Sequence, residues 1–316
     1  MVSSCKIMDF VMKKYLIIFV TVYSGLLFGY NRPGSSGAQF LLIGVSPRAM
    51  AMSNALISAS DGAEATYYNP AATANFNKTE FIITHTQWFA NINNDFAAVT
   101  HNFGRIGALG LLFTSFITDE MKVRTPLQPE GTGETFYSGS FRIGMSYALR
   151  MTNHVSFGTS LNYIYSSLYK DFNESAYSVD IAVLYKTNFK NFNFGMKIEH
   201  FGSEMKFVTE AYPLPTNFQF GMSVDAINTD DYKLLVTSVA MKPNDGDPVG
   251  GLGTELAWND VIFLRGGYRL NDEVRTFSIG GGVLLKISNN NFHFDYSYNN
   301  YRLLGGIHSI GISAGI

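Results

Sequence analysis

Cysteine is almost missing from this chain: Cys5 is the only one in 316 residues. It lies upstream of an apolar segment, so the exported chain is expected to carry no disulfide, no thiol nucleophile and no lipid-anchored cysteine. Charge is scarce as well. Charged residues make up 15%, well below the usual quarter or so, and the net charge is -2. No basic field exists to hold a nucleic acid. Apart from the N-terminal segment, no stretch approaches the ~18 consecutive apolar residues of a membrane helix. What the chain does have is aromatic side chains, at 15%, and 30 glycines, with a mean hydropathy of +0.05. That balance fits a β-barrel whose wall meets lipid on one face and water on the other. In lipid, a closed barrel is the strand arrangement that leaves no backbone group unpaired.

The N-terminus reads as an export signal over residues 1–29. Lys13 and Lys14 precede the apolar run Leu16 to Phe28, long enough for a secretory signal and short for a spanning helix. Met12 is a workable start, which makes residues 1–11 an extension. Cleavage near Gly29 places a small residue before the cut, although Leu27 is a poor match upstream of it. The competing reading is an uncleaved anchor helix.

From Thr79 onward, short segments alternate with a period of two. In Asn217–Asp225 the polar set N/Q/G/S/D interleaves with Phe218, Phe220, Met222 and Val224; Phe292, Phe294, Tyr296 and Tyr298 interleave with His293, Asp295, Ser297 and Asn299. Successive side chains of a strand point to opposite faces. Such strands are expected at 79–89, 93–103, 107–118, 134–150, 154–168, 174–186, 191–201, 214–226, 232–241, 249–257, 260–269, 275–287, 291–299 and 306–316. Most reach the about 9–11 residues needed to cross a bilayer at a tilt; strands of soluble domains run to about 5–6. Short connections (151–153, 187–190, 258–259, 288–290) alternate with long ones (118–133, 202–213, 242–248). A soluble sandwich does not predict that parity, whereas an outer-membrane barrel does, with the short turns periplasmic.

Residues 30–78 break the rhythm. Pro47 is expected to open a helix that Arg48 to Ser60 continue, with Ala49, Met50, Met52, Ala55, Leu56 and Ala59 on one apolar side and Asp61-Gly62 as the stop. A barrel this wide has a lumen that its side chains cannot fill, so this segment is expected to fold back as a plug. Its exit is the stretch Ala63 to Ala72, AEATYYNPAA, where Pro70 removes a donor and fixes the chain direction. Arg48 and Glu64 are expected to pair with lumen acids such as Asp180, Asp225 or Asp295.

No catalytic constellation emerges, and the chain is read as non-enzymatic, without cofactor or metal. The histidines, His85, His101, His154, His200, His293 and His308, lie at no close metal-ligand spacing. No GxSxG motif supports a hydrolase, although a Ser-His-Asp site assembled across strands would not show in spacing. Gly280-Gly281-Gly282 lacks the Lys-Ser/Thr of a phosphate loop and reads as a strand kink or a close approach by the plug. Asn244-Asp245-Gly246-Asp247 has oxygen ligands, yet a solvated turn accounts for it better than calcium does. Trp88 and the tyrosines near strand ends suit interfacial girdles.

Several motifs in order carry a family resemblance. Gly37-Ala38-Gln39-Phe40-Leu41-Leu42-Ile43-Gly44-Val45, Pro47-Arg48-Ala49-Met50-Ala51-Met52 and Tyr67-Tyr68-Asn69-Pro70-Ala71 resemble the N-terminal signature of the PorV/PorQ family of FadL-like outer-membrane barrels. Thr84 to Trp88, Pro129 to Glu134, Tyr212 to Pro215, Pro243 to Gly246 and Leu264 to Tyr268 extend the likeness over nearly the whole mature chain. The resemblance implies an all-β membrane fold, a 14-stranded antiparallel barrel (79–316) with a short helical N-terminal plug in its lumen (30–78). It implies either of two functions: receiving secreted cargo proteins by their C-terminal domains from a type IX translocon, or moving long-chain fatty acids or other hydrophobic small molecules. A structural, porin-like barrel is the third reading. Besides outer-membrane lipid, the partners would be translocon and cargo, or the hydrophobic ligand. Plug or ligand residues would be Phe40, Arg48, Met52, Asn69, Pro70 and Ala71; partner-facing loop residues would be Pro129, Glu130, Tyr212, Pro213, Asn244 and Asp245. Two departures stand out: Ala51 and Ser53-Asn54 where the family tends to glycine, and a final Ile316 instead of an aromatic.

Overall fold

The computed structural model describes residues 34–316 apart from 77 and 289; the export signal and Cys5 lie outside the described residues. The wall is built from β1 (Thr79–Gln87), β2 (Asn93–Asn102), β3 (Ala108–Ile117), β4 (Gly139–Arg150), β5 (Val155–Tyr169), β6 (Phe172–Lys186) and β7 (Asn193–Gly202), followed by β8 (Asn217–Asn228), β9 (Tyr232–Pro243), β10 (Val249–Trp258), β11 (Ile262–Leu270), β12 (Phe277–Ile287), β13 (Asn290–Asn300) and β14 (Gly306–Gly315). Each strand pairs antiparallel with its neighbours in sequence, and β1 pairs with β14 through Glu80↔Gly315 to Gln87↔His308. The sheet is therefore a closed barrel of 14 strands without a free edge.

The alternation is inside out compared with a soluble barrel. On β1, Ile83 is 68% exposed while Thr84 is 2% exposed. On β14, Ile310 and Ile312 point outward, and Ser309 and Ser313 are buried inside. Branched and aromatic side chains thus form the lipid face, and glycine, serine, threonine and charged residues form the lumen face. Loops 118–138 and 203–216 rise from one mouth; the turns at 103–107, 151–154, 229–231 and 259–261 close the other. By the rule that such barrels keep their short turns in the periplasm, the loop-bearing mouth is extracellular. One connection at that mouth, 170–171, is short, but it joins the two longest strands, which carry it upward themselves.

The plug threads the lumen as a 3₁₀ turn (Gln39–Leu42), α1 (Pro47–Ala51), α2 (Ala65–Tyr68) and a 3₁₀ helix (Pro70–Asn75). Val45, Ala49, Met52, Leu56, Ala63, Tyr67 and Tyr68 form a core with Ile82, Phe96, Ala98 and Leu112 of the wall. Two expectations need correction. The helix expected from Pro47 to Ser60 ends at Ala51, because Ser53 and Asn54 take left-handed backbone conformations (φ 54 and 59). The wall takes up the carbonyls so released: Ser278 Oγ donates to Ala51 O at 2.9 Å and Arg269 Nη1 to Ser53 O at 2.9 Å. Asparagine tolerates this region better than most residues. The strand expected at 134–150 starts at Gly139; Thr135–Phe136 pairs instead with Met121–Lys122 above the wall. Gly131 and Gly133, at φ 120 and 90, turn the chain back on itself there.

Candidate functional site

Sequence reasoning pointed to the plug, and its two charged residues, Arg48 and Glu64, meet a wall that carries most of the buried charge. Arg48 on α1 is its hub. Its Nε and Nη2 donate to Glu255 of β10 at 2.9 and 3.0 Å, and its Nη1 donates to Asp61 and Glu64, each at 2.8 Å. The expected partners Asp180, Asp225 and Asp295 are engaged elsewhere: Asp180 with Arg142, Asp295 with Arg265, and Asp225 with the Asn191 amide. α1 itself packs against β13 and β12, but Asp295 of β13 is held by Arg265, and the long Arg48 side chain reaches past it to Glu255 of β10. Glu64 also accepts from Ser46 Oγ at 2.6 Å. Burial raises its pKa above the ordinary glutamate range, and the nearby Asp61 adds to this against the pull of Arg48.

Tyr67 and Tyr68, from the YYNPA stretch, are structural pins. Tyr67 OH donates to Leu41 O and Ile43 O at 2.9 and 2.6 Å, and its ring lies 5.2 Å from the Arg142 guanidinium carbon and 5.6 Å from Lys197 Nζ. Those are cation–π distances. Tyr68 OH accepts from the Val45 and Ser46 amides at 2.9 and 3.1 Å. Asn69 Nδ2 donates to Ile57 O at 2.7 Å while its Oδ1 caps the next turn through Ala71 N at 3.1 Å. Pro70 and Ala71 lie flat on Gly158 of β5, where an added methyl would sit 2.3 Å from Ala71 N. Gly253 and Gly280 seat Met52 and Ala51 in the same manner, at 2.7 and 2.6 Å. Gly280 is thus a close approach by the plug, one of the two readings the sequence left. Phe40 packs on Phe116 in a second core with Ile164, Met205 and Leu214.

The loop residues divide. Pro129 and Glu130 are exposed at the tip of loop 118–138. Tyr212 and Pro213 are exposed too, yet Pro213 O accepts from Gly37 N at 3.0 Å. Asn244 accepts from Ser36 Oγ at 3.1 Å, and Asp245, 7% exposed, accepts from Gln39 Nε2. These contacts tie the start of the plug to the extracellular loops. Sequence reasoning missed the wall charges Arg142, Lys197, Glu199, Glu255, Arg265 and Arg269, all buried. The available signal was phase: each sits on the polar register of an alternating strand.

The plug divides the lumen. A cavity of about 490 Å³ lies on its extracellular side, lined by Gln39, Leu41, Lys197, Glu199, Asn217, Asp245, Arg269 and Asp272 among others. One of about 650 Å³ lies on the periplasmic side, lined by Arg48, Glu64, Glu80, Lys233, Glu255, Arg265 and Asp295 among others. They share no lining residue. Among the described residues no cluster of His, Cys, Asp and Glu is placed to hold a metal. The arrangement can fill a pore and present loops above it.

A closed barrel with an apolar outer wall and a charged, plugged lumen defines an outer-membrane barrel of FadL-like architecture. The family model described as type IX secretion system protein PorV matches residues 31–243, and the chain belongs to that family. Among solved structures it is similar to the toluene transporter TbuX of Ralstonia pickettii, at 14% identity and a TM-score of 0.56 over 87% of this chain and 98% of that one. The toluene transporter TodX of Pseudomonas putida is similar at 11% identity and a TM-score of 0.58, over 86% and 97%. A FadL homologue of Pseudomonas aeruginosa follows at 10% and 0.52, over 86% and 98%. At these identities the likeness is one of fold. No curated protein matches the chain.

Proposed function

We propose that the protein is a plugged receptor barrel of type IX secretion, exported by a signal over residues 1–29. It takes secreted cargo proteins by their C-terminal domains at its extracellular loops and hands them to a surface-attachment assembly. The observation that carries this reading, beside family membership, is the contrast between mouth and lumen. The loops hold apolar side chains out into water, with Leu127 93%, Val208 70% and Tyr137 60% exposed, which a protein partner would cover. The lumen is filled by a pinned plug. The second reading, transport of hydrophobic small molecules, draws on the fold of the toluene transporters. Against it stand the two lumen cavities, whose linings carry many charged groups, where an apolar ligand would need an apolar passage.

Affinity purification from a host with intact type IX secretion, after crosslinking, should recover cargo C-terminal domains or translocon subunits, and the double change Leu127→Asp, Val208→Asp should reduce that recovery several-fold. Recovering none in such a host overturns the receptor reading. Saturable fatty-acid binding by the purified barrel, with a lipid found by mass spectrometry of its extract, would favour the transporter instead.

A further inference from the structure

The extracellular cavity holds a carboxylate that stands outside its salt bridges. Asp245 lines it and is 7% exposed. Its side-chain partner is the neutral amide of Gln39, and among the described residues no lysine, arginine or histidine forms an ion pair with it. A buried carboxylate without a cation is unfavourable. Asn217 lines the same cavity, and β8 and β9 place it opposite Pro243, just ahead of Asp245 in the chain. Asn217 is 3% exposed; its Nδ2 donates to Glu199 at 2.9 Å, but its Oδ1 accepts nothing. The nearby cation is committed: Lys197 Nζ lies 2.6 Å from Glu199 Oε2 and 2.6 Å from Tyr67 O. Arg269 and Arg275, also lining the cavity, share Asp272 at 3.5 and 2.7 Å.

We propose that this wall is a binding site for an organic cation, an alkylammonium or guanidinium group, held by the Asp245 carboxylate and Asn217 Oδ1. Such a group offers several N–H donors and the missing charge together. A hard dication suits the site poorly, because it demands six or so oxygen ligands. The cation would replace Gln39, whose neutral bond is the weaker one. Gln39 belongs to the arm that Ser36 and Gly37 fasten to the loops, so occupancy would loosen that arm. The site stands apart from the cargo reading: a free small cation and a basic side chain of a protein share the chemistry.

The test is calorimetric titration of the purified barrel with n-butylguanidinium, with the N-acetylated and amidated tripeptide Gly-Arg-Gly, and with Gly-Glu-Gly blocked at both ends in the same way. Saturable binding of either cationic probe supports the site, and which of the two binds tells a free cation from a side chain. Asp245→Asn should weaken binding at least tenfold and Asn217→Leu several-fold, with the heat-dependent gel shift of the folded barrel unchanged. Should Asp245→Asn not fold, Gln39→Ala is read instead; it must tighten binding, since the competing amide is gone. Absence of saturable binding, equal binding of Gly-Glu-Gly, or unchanged affinity in Asp245→Asn or Gln39→Ala overturns the proposal.

Discussion

At the scale of single residues, Arg48 organises more of the molecule than any other side chain of the plug. One guanidinium faces Glu255, Asp61 and Glu64. Removing it leaves the buried Glu64 without a cation, while Glu255 keeps Arg265, and a broken buried pair costs about 3–5 kcal/mol. Arg48→Met should therefore release the plug while the wall stays folded, seen as faster hydrogen exchange over residues 44–76 with protected strand amides. Glu64 gives this a pH signature. Burial raises its pKa above the ordinary 4.5, so the docked plug holds that proton more tightly than the undocked one. The Glu64 contribution to docking is then strongest below pH 4.5 and weakens as pH rises through the interval up to the raised value. Glu64→Gln should remove that contribution, so the pH profile of plug exchange must differ from that of the native protein; an identical profile would refute the assignment. Arg48 and Glu64 were legible from the sequence as charges in an apolar plug. Glu255 was not, because which wall residue the Arg48 side chain reaches depends on how the barrel closes.

At the scale of elements, the strands were legible and the plug only partly so. The strands announce themselves through a rigid period of two that lipid on one side and water on the other impose on every one of them. The plug answers to no such periodic solvent. Its helix was read too long because nothing local marks Ser53 and Asn54 as left-handed; wall residues Ser278 and Arg269 make that turn worthwhile from across the lumen. The same dependence on the wall makes the plug's seat sensitive to small additions. Gly158 meets the backbone of Pro70 and Ala71, at 2.6 and 2.3 Å from an added methyl, and backbone cannot swing aside as a flexible side chain can. Gly158→Val should expel this corner of the plug. The readout is exchange at residues 69–75 with an intact barrel gel shift; a variant that exchanges there like the native protein would mean the seat is softer than its geometry implies.

At the scale of the whole molecule, the outer wall defines the solvent. Ile83 sits near the middle of β1 at 68% exposure. In a bilayer, Ile83→Arg should cost about 2–4 kcal/mol, measured by urea unfolding in lipid vesicles; a wall meant for water would tolerate it. The two cavities on either side of the plug bear on the cell that carries the protein. An unfilled cylinder of this strand number approaches the width at which barrels leave an aqueous channel. With a layer of protein between two chambers that share no lining residue, the barrel should conduct few ions, and planar-bilayer recordings should show a jump in conductance only once the plug is released.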